Sequence, residues 1–199
     1  MRTQVAIIGA GPAGLFLSHF LHRAGIECVV LEARSRAHLE SRVRAGVLEP
    51  GTIEAMQALG LDDRLKLNGM VDTGLNIRFR GQTIHLDLPS LTGKCVMIYG
   101  QQEVVKDLVA ARLAAGQPLL FEAAATAMDG LDGNRPNVRY RIGRDGESQT
   151  LECDFVAGCD GYHGVSRTFM PAQAPFELMN APTISPGSAC LPVPDQSLT

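Results

Sequence analysis

Three glycines near the N-terminus have the spacing that brings a backbone close to a phosphate group. Gly9, Gly11 and Gly14 form a G-x-G-x-x-G pattern, with Pro12 and Ala13 inside it, directly after the apolar run VAII. The first glycine would permit a tight turn, the second would let a pyrophosphate approach, and the third would let helix and strand pack closely. Free N–H groups of the following helix would hold the phosphates. The alternative is a glycine-rich turn without a ligand.

An acidic residue follows where a dinucleotide site places its ribose ligand. Glu32 ends the next apolar run, and a carboxylate there can accept hydrogen bonds from ribose hydroxyls. An acid at this position favours a ribose without a 2′-phosphate, so NADP is not expected in this pocket. FAD and NAD both use this motif, and the motif alone leaves that choice open.

Two other motifs carry polar groups that a nucleotide could use. Arg42 and Arg44 stand in SRVRAGVLEPG, where they are either solvated surface arginines or a balance for phosphate charge. Asp160 and Gly161 follow the apolar run FVAG. Asp-Gly is most often a simple turn, but the carboxyl end of a strand is also where open α/β sheets bind ligands.

The elements that would position these residues alternate between strand and helix, which predicts an α/β fold with a mainly parallel sheet. From 75 to 97 the sequence changes to short strand-like pieces broken by Gly and Pro. The predicted strands and helices are Thr3–Ile8, Ala13–Ala24, Glu27–Glu32, Pro50–Leu59, Gln102–Ala115, Leu119–Phe121, Val138–Ile142, Thr150–Cys153 and Phe155–Gly158.

Composition excludes several classes of function. The net charge of −3 argues against general nucleic-acid binding, and no apolar run is long enough to span a membrane. The N-terminus lacks the features of a signal peptide, so we expect a cytoplasmic protein. The cysteines have no metal-ligand spacing and are expected to be inert buried thiols without a metal. They are Cys28, Cys95, Cys153, Cys159 and Cys190.

The motifs GAGPAG, RVRAGVLE, YGQQEV and CDGYHGVSR, with Glu32 between the first two, occur in an order that resembles the flavin-dependent aromatic hydroxylases. The resemblance covers about residues 1–171. It implies a Rossmann-like FAD-binding domain with a small β-rich insertion at about 74–98. In such a domain the glycine loop and Glu32 bind the ADP half of FAD. Arg44 and Gln102 contact the phosphate and ribitol region, with Arg42 nearby.

The resemblance also implies a second nucleotide, NADPH, which visits transiently to reduce FAD. Asp160 and Gly161 would serve both nucleotides. His163 would contact an NADPH phosphate, unless it is only a histidine of a surface loop. Arg34 and Arg36 occupy the segment that selects the nicotinamide cofactor. The implied reaction is hydroxylation of a small aromatic acid, 4-hydroxybenzoate, to 3,4-dihydroxybenzoate.

Parts of the hydroxylase pattern are absent from this sequence. A second FAD motif of the Gly-Asp-Ala type and the substrate-binding residues are missing, so no residue is assigned a catalytic role. We therefore expect a truncated, inactive FAD-binding portion with exposed apolar surface and a tendency to self-associate. The alternative is a stand-alone dinucleotide-binding module or remnant. Residues 172–199 lack any pattern and are predicted to be disordered, and a frameshift after Met179 is one hypothesis for their origin.

Overall fold

A parallel sheet of four short strands forms the centre of the fold. The computed structural model describes residues 1–133 and 135–170. The predicted disorder of 172–199 and the frameshift hypothesis lie outside the described residues. The α/β fold predicted from the sequence is confirmed.

The described chain contains twelve strands, six α-helices and one 3₁₀ turn. The strands are β1 (Val5–Ile8), β2 (Cys28–Leu31), β3 (Val47–Leu48), β4 (Met70–Asp72), β5 (Gly74–Phe79), β6 (Gln82–Asp87), β7 (Val96–Ile98), β8 (Leu119–Leu120), β9 (Ala123–Asp129), β10 (Asn137–Ile142), β11 (Ser148–Glu152) and β12 (Phe155–Gly158). The helices are α1 (Pro12–Arg23), α2 (Arg36–Ser41), α3 (Pro50–Leu59), α4 (Asp63–Asn68), α5 (Leu88–Thr92) and α6 (Gln101–Ala114), and the 3₁₀ turn spans Ser166–Phe169.

The order of the parallel strands reverses at β1. The sheet runs β12-β1-β2-β8, and each neighbouring pair is parallel. The chain therefore leaves β1 towards β2 on one side and returns to pair β12 on the other. Such a reversal leaves a crevice at the carboxyl ends of the two strands, where doubly wound folds bind nucleotides.

The two faces of this sheet are covered by different layers. Val5 and Ile7 point into a core shared with α1, α3 and α6. Ala6 and Ile8 alternate with them and point into a second core, against the antiparallel sheet β11-β10-β9. Strands β1 and β2 are buried on both faces, which is why they are continuous apolar runs rather than alternating ones. Strand β12, at the edge of the sheet, is only partly buried, and Phe155 is exposed.

Helices α1 and α6 pack side by side through polar as well as apolar residues. His19 is 8% exposed, and its Nε2 donates to the carbonyl of Leu108 at 2.8 Å. Burial is the main cause that lowers the pKa of His19. Arg112 is fully buried, and its guanidinium donates to the carbonyls of Cys28 and Pro118.

Several short elements were not predicted from the sequence. They are α2, α4, α5, β3, β4 and β9, and all but β9 are six residues or shorter. Strand β9 reads AAATAMD, a composition with little β-propensity. It is a strand because it pairs along its length with β10.

Residues between α3 and α6 form two small antiparallel sheets, β3-β7-β4 and the ribbon β5-β6. One face of the ribbon carries Leu75, Ile77, Phe79 and Ile84, which are all exposed. In β3-β7-β4, the row Val47, Ile98 and Met70 is exposed as well. Within the part of the chain that the structure describes, these two apolar faces have no covering element.

No helix among the described residues combines the length and apolar character that crossing a membrane requires.

Candidate functional site

A cavity of about 680 Å³ opens at the carboxyl ends of β1 and β12. The glycine loop that follows β1 forms one wall, and Asp160 with Gly161, after β12, forms another. All of the site residues predicted from the sequence line it except Gly14 and Arg36. They are Gly9, Gly11, Pro12, Ala13, Glu32, Arg34, Arg42, Arg44, Gln102, Asp160, Gly161 and His163.

The three glycines of the loop differ in the space that surrounds them. Gly9 has φ of 100°, and a β-carbon there would lie 2.5 Å from the carbonyl oxygen of Cys159. A β-carbon on Gly14 would collide with the carbonyl oxygen of Gly9. A β-carbon on Gly11, whose φ is −65°, would meet no protein atom within 4 Å. The fold therefore requires glycine at positions 9 and 14, whereas Gly11 leaves free space at the cavity wall.

Glu32 is buried at the end of β2, and its carboxylate holds the loop together. Oε2 accepts a hydrogen bond from the backbone N–H of Ala10 at 2.8 Å, and Oε1 accepts one from the N–H of Arg34 at 2.8 Å. Each carboxylate oxygen has two lone pairs, so acceptor capacity remains on both. The residue can brace the glycine loop and accept from a ribose hydroxyl at once.

Three arginines bring positive charge to the cavity. Arg34, Arg42 and Arg44 are exposed and line it. None of them has a carboxylate within ion-pair distance in residues 1–133 and 135–170. Arg36 differs, because it pairs with Glu40 at 2.6 Å and does not line the cavity. Unpaired guanidinium groups at a concave surface favour the binding of phosphate.

Backbone pairing brings Arg44 next to the start of α6. The N–H of Tyr99 donates to the carbonyl of Gly46 at 2.7 Å, and the N–H of Gln101 donates to that of Ala45 at 3.3 Å. Helices α6 and α1 both begin at the cavity wall, with Gln101 and Gly11 among the lining residues. Helix N-termini carry partial positive charge, which adds to that of the arginines.

Gln102, in the first turn of α6, has an unsatisfied polar atom at this wall. Its Oε1 is buried and has no hydrogen-bond donor among the described residues. Buried acceptors in native proteins nearly always have a partner. Gln102 lines the cavity, but this oxygen itself has almost no accessible surface there.

The Asp160-Gly161 segment is a turn and also a part of the cavity wall. Gly161 has φ of 78°, which favours glycine. The Asp160 carboxylate accepts from the N–H of Ser166 at 2.9 Å and from its hydroxyl, which closes the loop. His163 is exposed and packs edge-on against Tyr162, with ring centroids 4.8 Å apart.

Sequence reasoning missed several lining residues. Ala123 and Ala125 belong to β9, which was not predicted, and His38 belongs to α2. Cys159 was expected to be an inert buried thiol but is partly exposed at the cavity. Burial, and then the charge of Asp160, raise the pKa of Cys159, so it is a neutral thiol rather than a nucleophile.

No cluster of metal-ligating side chains occurs within the described ranges. The cavity instead combines an open glycine, the carboxylate of Glu32, two helix N-termini and unpaired arginines. This fold and this site define an α/β dinucleotide-binding domain, and the donor set fits a ligand with both phosphates and hydroxyl groups.

Comparison with known proteins identifies the family. A family model described as "FAD binding domain" matches residues 2–184, and the chain belongs to this family. The chain is 45% identical over 172 residues to p-hydroxybenzoate hydroxylase from Acinetobacter baylyi, covering 86% of this chain and 42% of that protein. It is 30% identical over 171 residues to 6-methylpretetramide 4-monooxygenase from Streptomyces rimosus, covering 83% and 40%. The chain thus spans about two fifths of the length of these relatives.

Two solved structures with this fold are a hydroxylase and a monooxygenase by name. OxyS anhydrotetracycline hydroxylase from Streptomyces rimosus superimposes with a TM-score of 0.73 at 27% identity, over 84% of this chain and 33% of that chain. The p-nitrophenol 4-monooxygenase PnpA from Pseudomonas putida has a TM-score of 0.73 at 22% identity, over 89% and 45%. At this identity, the similarity to PnpA shows only that the fold is shared.

Proposed function

We propose that this chain is the FAD-binding portion of an NADPH-dependent monooxygenase that hydroxylates 4-hydroxybenzoate to 3,4-dihydroxybenzoate. The cavity at the crevice between β1 and β12 is the observation that carries the proposal. It brings together groups that accept from hydroxyls and groups that bind phosphate, and FAD contains both. The substrate is inferred from the p-hydroxybenzoate hydroxylase that is 45% identical to this chain.

The ADP half of FAD would bind at the glycine loop. The open space at Gly11 admits the pyrophosphate, and the N-terminus of α1 offers N–H groups to it. Glu32 would accept from the adenosine ribose with its remaining lone pairs. Arg42 and Arg44 would balance the phosphate charge.

The other half of FAD would extend between the start of α6 and the loop after β12. Gln102 would contact it with its carboxamide, and Asp160 with Gly161 forms the opposite wall. His163 and Arg34 are exposed at the cavity, and with Arg36 they are our candidates for contacts with NADPH. Bound FAD would supply the redox chemistry, while the residues described here bind and orient it.

The test is FAD binding and turnover by the purified chain. We expect flavin fluorescence to be quenched on titration with FAD, and no NADPH-driven oxygen consumption with 4-hydroxybenzoate, because no described residue is assigned to the substrate. Absence of FAD binding would refute the proposal. Turnover would contradict inactivity of the chain while supporting the enzyme class.

A stand-alone dinucleotide-binding module is the second candidate, because every site residue assigned here belongs to the nucleotide. Joining the chain to the complementary part of the Acinetobacter baylyi relative separates the two. Hydroxylation by a folded, FAD-loaded chimera favours the hydroxylase, and a folded, FAD-loaded chimera without turnover favours the module.

A further inference from the structure

Glu122, between β8 and β9, has a backbone conformation that residues with a side chain rarely adopt. Its φ is 54°, in the left-handed region where glycine is the usual residue. The only other described non-glycine residue with positive φ is Arg80, at 49°. Arg80 lies in the two-residue turn between β5 and β6, and such hairpin turns require positive φ. No hairpin explains Glu122, which lies where the chain passes from the parallel sheet to the antiparallel one.

The left-handed turn at Glu122 directs two consecutive N–H groups at one neighbouring segment. The N–H of Glu122 donates to the carbonyl of Arg34 at 3.0 Å, and the N–H of Ala123 donates to the carbonyl of Glu32 at 2.8 Å. In a regular strand, successive N–H groups point to opposite sides, so an extended residue 122 could not allow both bonds. The conformation of Glu122 therefore ties β9 to the segment that carries Glu32.

A continuous series of hydrogen bonds leads from Glu122 to the carboxylate of Glu32. Arg34 accepts from Glu122 with its carbonyl, and its own N–H donates to Glu32 Oε1 at 2.8 Å. The main chain of Glu32 is held as well, because its N–H donates to the carbonyl of Leu120 at 2.8 Å. The residues around Glu122 thus fix both the backbone and the carboxylate of Glu32.

The side chain of Glu122 takes no part in these contacts. It is exposed, and the residue does not line the cavity. Its carboxylate belongs to none of the ion pairs formed among residues 1–133 and 135–170. The link to the cavity therefore runs through the main chain of this residue and not through its charge.

We propose that Glu122 is a positioning residue, whose left-handed backbone holds Glu32 and Arg34 so that the Glu32 carboxylate faces the ribose of bound FAD. This inference rests on the proposed function. It makes FAD affinity depend on the conformational preference of a residue outside the cavity wall, and not on the charge of that residue.

Substitutions that change the conformational preference at position 122 test this role. Glu122→Val opposes the left-handed conformation, because β-branched residues are strongly disfavoured there. It should raise the dissociation constant for FAD roughly two- to ten-fold, the range of one neutral hydrogen bond. Glu122→Gly removes the charge but accepts positive φ, so it should bind FAD like the wild type. Weak binding by a folded Glu122→Gly would assign the role to the carboxylate and overturn the inference.

Arg80→Val is the matched control, because it places the same side chain at a similar φ in a residue that does not line the cavity. Both valine variants should lower the melting temperature of the apo-protein, and only Glu122→Val should weaken FAD binding. Equal FAD affinities in the two folded variants would show a purely structural role and overturn the inference. If Glu122→Val does not fold, Glu122→Thr takes its place in the comparison.

A double-mutant cycle with Glu32→Ala checks that Glu122 acts through the Glu32 carboxylate. Glu122→Val should weaken FAD binding in the wild-type chain but not in Glu32→Ala, where no carboxylate remains to be positioned. Independent, multiplicative effects would overturn the inference. Wild-type affinity in Glu122→Val overturns it while leaving the proposed function intact, whereas failure of the wild-type chain to bind FAD overturns both.

Discussion

Gly11→Ala tests whether this glycine is required by the bound ligand rather than by the fold. At Gly9 and Gly14 a β-carbon would strike backbone carbonyls. At Gly11 it would meet no protein atom within 4 Å, and the φ of −65° suits alanine. The same methyl group should therefore damage the fold at two positions and only the ligand site at the third.

The expected magnitudes follow from these contacts. For Gly11→Ala, lower entropy of the unfolded chain and a poorer helix cap oppose each other, so the free energy of unfolding should change by less than about 1 kcal/mol. A methyl forced into a close contact with a pyrophosphate should cost about 1–3 kcal/mol, which raises the FAD dissociation constant roughly 5- to 150-fold. Gly9→Ala adds a backbone clash and strain at positive φ, and we expect a loss of about 3 kcal/mol or more.

Two measurements check this prediction: urea unfolding of each apo-variant, and titration with FAD followed by flavin fluorescence. Gly11→Ala should unfold like the wild type and bind FAD weakly. Wild-type FAD affinity in this variant would refute the assignment of Gly11 as the point of pyrophosphate approach. Wild-type stability in Gly9→Ala would refute the structural role given to that glycine.

Three other predictions concern stability and association. Glu32→Ala should lower the free energy of unfolding of the apo-protein by about 1–3 kcal/mol, since the N–H of Ala10 loses its acceptor. It should also weaken FAD binding by about 1.5–3 kcal/mol. Unchanged urea unfolding would contradict the role of Glu32 in holding the glycine loop. The pKa of His19 is lowered by burial, so the unfolded state binds more protons below about pH 6.5 and stability should fall as pH drops from there towards the folded pKa. His19→Gln should flatten that dependence in urea unfolding at several pH values, and exposed His38→Gln, whose charge does not act on His19, should not; equal slopes in both variants would argue against it. Ile77→Thr, on the exposed apolar face of the ribbon, should reduce self-association in sedimentation velocity, whereas a wild type that stays monomeric at high concentration would show that this face does not drive association.

The parts of the fold that the sequence predicts are those in which local pattern and tertiary environment agree. The apolar runs of β1 and β2 and the helical spacing of α1 are such cases, because both strands are buried on both faces and α1 packs against them. Strand β9 could not be predicted, since its alanines have little β-propensity and its state depends on pairing with β10. The buried face of α6 includes Arg112, which the spacing of apolar residues does not reveal. Of the carbonyls that satisfy this guanidinium, that of Cys28 comes from a distant segment and that of Pro118 from the loop after α6.

Most residues that line the cavity could be predicted from sequence motifs, whereas the hydrogen bonds between them could not. Asp160 follows the carboxyl end of a strand, and this position brings it to the crevice because β1 and β12 are neighbours. The hydrogen bonds that Glu32 accepts from two backbone N–H groups depend on three-dimensional contacts that spacing does not reveal.

The pairing of β1 with β12 also has a consequence for the order in which the protein acquires structure during synthesis. Val5 pairs opposite Phe155. The first strand therefore cannot complete its pairing until nearly the last described element has been synthesised. At about 5–20 residues per second this takes roughly 8–30 s, during which one edge of an apolar strand is unpaired. The crevice between the two strands cannot exist earlier. A nascent chain therefore has no complete nucleotide cavity until residues 155–161 have left the exit tunnel, and any ligand-assisted folding acts only after that point.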